Sequence, residues 1–281
     1  MNKPYAWLSL HIFRHDELDP LITGHVGPLA ARLVDDDLAR RFFYLRYWEG
    51  GPHVRLRVCA RPEDTDRILS VARARLGAHF RAAPSRGRVT PTLYAEWAAR
   101  YARAEQLTDY DREVVPPDTV TLGRYEPETS SFGGGAALEL VENHFCVSSA
   151  LALRCLASGR PVLSTASVAT LATYVCLPDR ATSVLPGDDD PAWPAAGAEF
   201  LELAARLRAA DTDQPGGDPA VGWLFEMRRL GARMTELGRP GPRVLSRCLH
   251  LHLNRLGVTA TQERRLRRLA RRAAAGTPAG P

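Results

Sequence analysis

The sequence predicts an α+β chain: an N-terminal sheet of the ferredoxin-like, split βαβ kind, followed by a mostly helical C-terminal half. Three observations carry this expectation. Strand-type alternation is confined to four stretches between Tyr5 and Tyr125. Their order, with helical periodicity in the gaps, is strand, helix, two hairpin strands, helix, strand, which is the split βαβ order. From Gly135 onward strand signals stop and apolar residues recur at helical spacing. The expected division is a sheet portion over 1–134 and a helical portion over 135–281, packed together as one compact unit.

The elements follow in order. Tyr5–Phe13 alternates and reads as a strand. From His15 to about Arg40, Leu18, Leu21, Ile22, Val26, Leu29 and Leu33 fall at helical spacing, with Gly24 and Gly27-Pro28 as possible interruptions. Phe42–Trp48 and His53–Cys59 form a hairpin around Glu49-Gly50-Gly51-Pro52. Pro62 followed by two acids opens a helix that carries Ile68, Leu69, Ala72, Leu76 and Phe80 on one side. A short helix is expected over Leu93–Glu105 and a strand over Thr119–Tyr125. Helices are expected over Ala136–Ala157, Ser167–Cys176, Ala195–Ala209, Pro219–Leu237 and Pro242–Leu256, with breaks at Leu185–Pro194 and Ala210–Asp218. Arg264–Arg272 reads as a basic helical tail, more readily a solvated helix than a nucleic-acid contact.

At 281 residues, 45% hydrophobic and 25% charged, the chain can bury a sizeable core. Its net charge of +5 comes almost entirely from arginine, since Lys3 is the sole lysine. Guanidinium groups suit carboxylates and phosphates, but the excess is too small to imply nucleic acid as a partner. Five scattered cysteines without a CxxC pair, no secretory pattern and no apolar run of about 18 residues point to a cytoplasmic protein with reduced thiols. Nothing calls for a metal or a cofactor.

Three stretches could carry chemistry. If the hairpin pairs symmetrically about its turn, Arg46 faces Arg55 and Tyr44 faces Arg57, while His53 shares the same side. Three arginines on one sheet face repel one another, so the pattern suits an anion site; it also fits a solvated face with Arg stems lying on aromatics. The second stretch is RYEPETSSFGGGAALEL, from Arg124 to Leu140. It lacks the spacings of a nucleotide loop, and its glycines more simply turn the chain. In the third, GPRVLSRCLHLHLNRLG, Arg243, Arg247, His250 and Asn254 line one helical stripe among leucines. A histidine in that setting can transfer protons. His250 and His252 point about 200° apart on a helix and do not share a metal.

Taken together, RYWEGGPHVRLRV, YEPETSSFGGGAALEL and LHLHLNRLG, behind a WLSLHIF opening strand, resemble the C-terminal, SpaB-type domain of class I lantibiotic dehydratases. They are similar too to the free-standing thiopeptide-type bacteriocin biosynthesis proteins. The resemblance implies a lyase of ribosomal-peptide antibiotic biosynthesis, one that eliminates glutamate from glutamylated Ser or Thr of a precursor peptide to leave dehydroalanine or dehydrobutyrine. It implies Arg55 and Arg57 as the arginines of the family's RLR motif and His250 as the proton-transfer residue. Arg46, His53, Tyr44, Arg124, Arg247 and Asn254 are substrate-binding candidates around them. The family's arginine-bearing YxRE…RYGG segment is interrupted here by Pro127 and Ser131, so Arg124 is only a stand-in.

The expected partners are the precursor peptide, a separate glutamyl-tRNA-dependent glutamylation protein and a second copy of the chain. Retention of both Arg55 and Arg57 favours elimination. Two other functions stay open: the pyridine synthase reaction, a formal [4+2] cycloaddition of two dehydroalanines with loss of water and leader peptide, and a non-catalytic peptide-binding subunit.

Overall fold

A computed structural model describes residues 5–105, 107–177, 190–191, 193–210 and 219–276. The expected breaks at Leu185–Pro194 and Ala210–Asp218 lie largely outside the described residues. The chain divides into two compact units, Met1–Glu126 and Pro127–Pro281.

In the first unit, β1 (Ala6–Phe13) runs antiparallel between β3 (His53–Ala60) and β4 (Thr119–Gly123), and β2 (Arg41–Tyr47) lies outside β3. The strand order is therefore β2-β3-β1-β4, with helical segments between β1 and β2 and between β3 and β4. One sheet face buries Leu10, Ile12, Tyr44, Val54, Leu56 and Val58. Each such side chain contributes about 1.5–3 kcal/mol on leaving water. Helix α3 (Thr65–Ala82) touches β4 and buries Ile68, Ala72, Leu76 and Phe80, the side expected from its periodicity.

The segment after β1 is α1 (Leu18–Leu21), a π turn (Ile22–Val26) and α2 (Gly27–Asp35). The expected interruption thus takes the form of a widened turn. Pro28 has no N–H to return to Gly24, and the Gly27 N–H reaches back to the Ile22 carbonyl, five residues away. Helix α4 (Pro91–Glu105) buries Tyr94, Ala98 and Ala102 against Trp48 in a separate small core.

The hairpin register differs from the symmetric one by one residue. Tyr47 faces His53, Leu45 faces Arg55, Phe43 faces Arg57, Arg46 faces Val54 and Tyr44 faces Leu56. The connection has five residues, Trp48 to Pro52, with Gly50 and Gly51 both at positive φ, 77° and 115°. A one-residue slip moves every β2 side chain to the opposite face. Arg46 and Tyr44 consequently lie on the face opposite Arg55 and Arg57: Tyr44 is fully buried and Arg46 Nη2 meets Asp19 Oδ1 at 2.5 Å. The observed register removes the like-charge pairing and gives each arginine of β3 an apolar neighbour.

The second unit is helical in its described residues: α5 (Thr129–Phe132), α6 (Ala136–Ala157), α7 (Val162–Val175), α8 (Trp193–Ala209), α9 (Pro219–Glu236), α10 (Gly241–Leu256) and α11 (Ala260–Ala274). Helix α7 carries no charged residue and touches each of α8 to α11, as an all-round apolar helix must. Its buried Thr170 and Thr173 hydroxyls donate to the carbonyls four residues back at 2.7 and 2.8 Å. The basic segment Arg264–Arg272 is not a solvated tail. It belongs to α11, which buries Leu266, Leu269, Ala270 and Ala273 and packs on α7 and α8. Arg265 and Arg268 approach the buried Asp190 carboxylate at 3.4 and 3.0 Å. All five cysteines are free thiols, Cys59 and Cys248 buried. Among the described residues no helix is long and apolar enough to cross a membrane.

Candidate functional site

The sheet face opposite the core of Leu10, Ile12 and Val58 carries a row of polar and aromatic side chains, of which His53, Ser9, Phe13, Phe43 and Arg57 are buried. Strand alternation puts His53, Arg55 and Arg57 of β3 on it, and pairing brings Phe13, His11 and Ser9 of β1 opposite them in that order. From β2 the same face receives Tyr47, Leu45 and Phe43. The Arg55 guanidinium lies 3.5 Å from the Tyr47 ring centroid; its Nε donates to His53 Nε2 at 3.1 Å and its Nη2 to Glu49 Oε2 at 3.0 Å. Glu49 is held at its other oxygen by the Asp111 N–H at 3.0 Å. The Arg57 guanidinium lies beside the rings of Phe43 and Tyr125, at 5.4 and 4.9 Å from their centroids.

The histidines on this face are neutral. His53 Nδ1 is 2.8 Å from the Gly51 carbonyl, so Nδ1 carries the proton and Nε2 accepts from Arg55. Burial pushes the His53 pKa down to about 3; the bond to Gly51 opposes this, and the charges of Arg55 and His11 add to it. His11 stacks on His53 at 5.1 Å, and burial, then Arg55 and Arg57, take its pKa to about 4. Its ring covers Gly123, where a Cβ would stand 2.2 Å from His11 Nε2, and that nitrogen and Ser9 Oγ are buried without a hydrogen-bond partner among the described residues. Burial, with Glu105 nearby, raises the Tyr47 hydroxyl to about 12.

In the second unit the α10 stripe lies on the outward side of its helix, with Leu245, Leu249, Leu253 and Leu256 buried beneath. Helix α10 ends on Gly257 in the left-handed region, φ 80°, and α11 starts from a capping box of Thr259 and Gln262. That tight reversal sets Glu263 against His250, Nδ1 to Oε2 at 2.8 Å. Arg267 Nε donates to the other Glu263 oxygen at 2.8 Å, and its two Nη groups reach Ser246 Oγ and O at 2.9 Å each. Burial would raise the Glu263 pKa, but the bonds and charges of His250 and Arg267 outweigh it and hold the carboxyl below its ordinary range.

The sequence-predicted residues thus fall into distinct groups. Arg55, Arg57 and His53 are adjacent on one face, whereas Tyr44 and Arg46 are on the other. Arg124 follows β4 with its side chain 88% exposed and Glu126 at 4.0 Å. His250 lies between Arg247 and Asn254 as expected, but Arg247 is engaged by Glu128 Oε2, at 3.0 and 3.2 Å from Nη2 and Nε. His252, two residues from His250, is buried with Nδ1 2.9 Å from Ser148 Oγ and its ring stacked 4.1 Å from Trp223. Sequence reasoning missed His11, Glu49, Tyr125 and Glu263. None carried a signal that set it apart, since His11 falls with Ser9 on the polar side of an alternating strand, as a solvated residue would. Among the described residues no group of three His, Cys, Asp or Glu side chains is placed to hold a metal.

A model of the family described as lantibiotic biosynthesis dehydratase C-term matches residues 7–274. The chain belongs to this family. Among solved structures, this dehydratase C-terminal chain is similar to the pyridine synthase TbtD from thiomuracin biosynthesis, with a TM-score of 0.78 and 23% identity, covering 96% of this chain and 98% of that one. The tRNA-dependent lantibiotic dehydratase MibB from Microbispora sp. 107891 is similar with a TM-score of 0.57 and 20% identity, over 96% of this chain but only 28% of that one. TsrL matches with a TM-score of 0.58 and 19% identity, over 96% and 94%. At these identities the likeness is one of fold. No curated protein matches the chain.

Proposed function

We propose that this member of the dehydratase C-terminal family acts in the cytoplasm on a ribosomal precursor peptide already bearing dehydroalanines. In this proposal it joins two of them in a formal [4+2] cycloaddition, with loss of water and leader peptide. The observation that carries the proposal is the pairing of Glu49 with Arg55. Glutamate elimination needs a cationic grip on a departing carboxylate. Here an internal carboxylate, anchored at both oxygens, already holds Arg55. Ring closure makes no such demand. Similarity to TbtD over 98% of that chain supports the same assignment.

The chemistry asks chiefly for proton transfers. The amide that joins one dehydroalanine to the residue before it shifts its N–H proton to its carbonyl oxygen, giving a C=C–N=C(OH) azadiene. Two C–C bonds to the second dehydroalanine close the ring. Water then leaves from the C–OH carbon, and the leader leaves as its carboxamide, each with a ring proton. His250 suits the role of base and acid in these steps: its Nδ1 is bound by Glu263, so Nε2 is the acceptor of the neutral ring. The Arg55–Arg57 face, flanked by Tyr47, Phe43 and Tyr125, suits peptide carbonyls and aromatic rings. The strand order supports taking the sheet as a split βαβ arrangement.

Elimination is the second assignment, favoured by Arg57, which stands two residues from Arg55 on the same face and beside the rings of Phe43 and Tyr125. It would require a separate glutamylating partner. Mass spectrometry separates the two. A peptide carrying two dehydroalanines is expected to release its leader and yield a cyclised core, while a glutamylated peptide is expected to remain unchanged. Loss of glutamate from the second peptide, with the first untouched, would replace ring closure by elimination. His250→Gln is expected to slow conversion by about 10²–10⁴-fold.

A further inference from the structure

We infer that Glu263 is the positioning residue for His250, fixing its neutral ring as the Nδ1–H tautomer and leaving Nε2 as the sole proton acceptor. The inference rests on the proposed proton-transfer role of His250 but adds a residue that none of the three family motifs contains. Its basis is geometric. A carboxylate accepts and does not donate, so the 2.8 Å contact requires the proton to sit on Nδ1. Glu263 is largely buried, 11% exposed at its side chain, and its second oxygen is fixed by Arg267 at 2.8 Å. Arg267 in turn is fixed to both the hydroxyl and the carbonyl of Ser246, one turn before His250 on α10. The carboxylate is therefore clamped from two sides to a point set by α10 itself. Bonds from His250 and Arg267 to the ionised form keep it charged.

The consequence for a reaction step is definite. When Nε2 takes a proton from substrate, both ring nitrogens become protonated and the imidazolium faces an ionised Glu263. Returning the proton from Nε2 restores the starting tautomer. No proton passes to Glu263, and no other group changes state.

Long-range 1H–15N imidazole spectra of histidine-labelled protein test the assignment, with the His250 signals identified by their absence in His250→Gln. In the wild type the neutral ring is expected to give the pattern of protonated Nδ1 and bare Nε2. In Glu263→Ala, and more mildly in Glu263→Gln, it is expected to shift toward the Nε2–H tautomer. Turnover of a dehydroalanine peptide is expected to fall about 10–100-fold in Glu263→Gln through kcat, with KM unchanged. If the tautomer in both variants matches the wild type, the positioning role is overturned. Should Glu263→Ala fail to fold, the Gln variant and Arg267→Met, which loosens the clamp, give the same readout. If instead the tautomer shifts while His250→Gln leaves turnover intact, Glu263 does set the tautomer and the role proposed for His250 fails.

Discussion

Glu49 Oε2 stands 3.0 Å from Arg55 Nη2, and the same carboxylate accepts the Asp111 N–H through its other oxygen. A loop residue of the β2–β3 turn thereby neutralises an arginine that the sequence offers as an anion grip. Glu49→Gln is expected to leave Arg55 without its internal counter-ion. Titration of the variant with N-acetylglutamate, followed by NMR or calorimetry, should detect binding where the wild type shows none. The lost pair is half-shielded, so stability should fall by only about 1 kcal/mol. A wild type that already binds the dicarboxylate would restore elimination as the leading activity.

Arg46 faces the side of the sheet opposite Arg55 and Arg57 and meets Asp19. In a double-mutant cycle of Arg46→Met and Asp19→Asn, chemical denaturation is expected to give a coupling of about 0.5–1 kcal/mol. Zero coupling would remove the ion pair as the reason for this placement.

Gly123 gives His11 its seat. In Gly123→Ala the new methyl would stand 2.2 Å from His11 Nε2, with the ring pinned behind by His53. The ring must swing away, at about 1–3 kcal/mol. The melting temperature should fall and the His11 ring signals should move. A variant as stable as the wild type with unmoved His11 signals would contradict the close packing.

Acid should unfold the protein early. Burial takes His53, His144 and His252 to about 3 and His11 to about 4, against 6.5 when unfolded. These groups bind protons more weakly folded than unfolded. Their contribution to stability is therefore complete above pH 6.5 and is lost as pH falls from there toward 4. Denaturation measured between pH 7 and 4.5 should show stability dropping with a slope that approaches four protons. His144, fully buried with neither ring nitrogen hydrogen-bonded among the described residues, accounts for one of them. His144→Phe should lower the slope by one proton, and an unchanged slope would mean that His144 titrates alike in both states.

Periodicity was enough to place the strands and most helices, because alternation and helical spacing are local properties. The register of the hairpin was not legible in the same way. Trp48 looks like a strand residue, yet it leaves β2 for the small core around Tyr94, lengthening the turn by one and turning Arg46 and Tyr44 to the other face. His250 was legible because its stripe and its motif coincide on one helix. Glu263 was not, since it immediately precedes the Arg264–Arg272 segment that reads as solvated. Its burial comes from Leu266 and Leu269 docking α11 into the bundle, a tertiary effect. Glu49 was hidden for a similar reason, as turn residues give no sign of which side chain they will meet.

The left-handed Gly257 and the Thr259 cap join α10 to α11 in a turn with no slack, so His250 and Glu263, 13 residues apart, ride on one helical hairpin. An inserted or deleted residue in that turn would rotate α11 by about 100° and carry the carboxylate out of reach. The His250–Glu263 contact accordingly depends on the length of this one connection as well as on the Arg267 clamp.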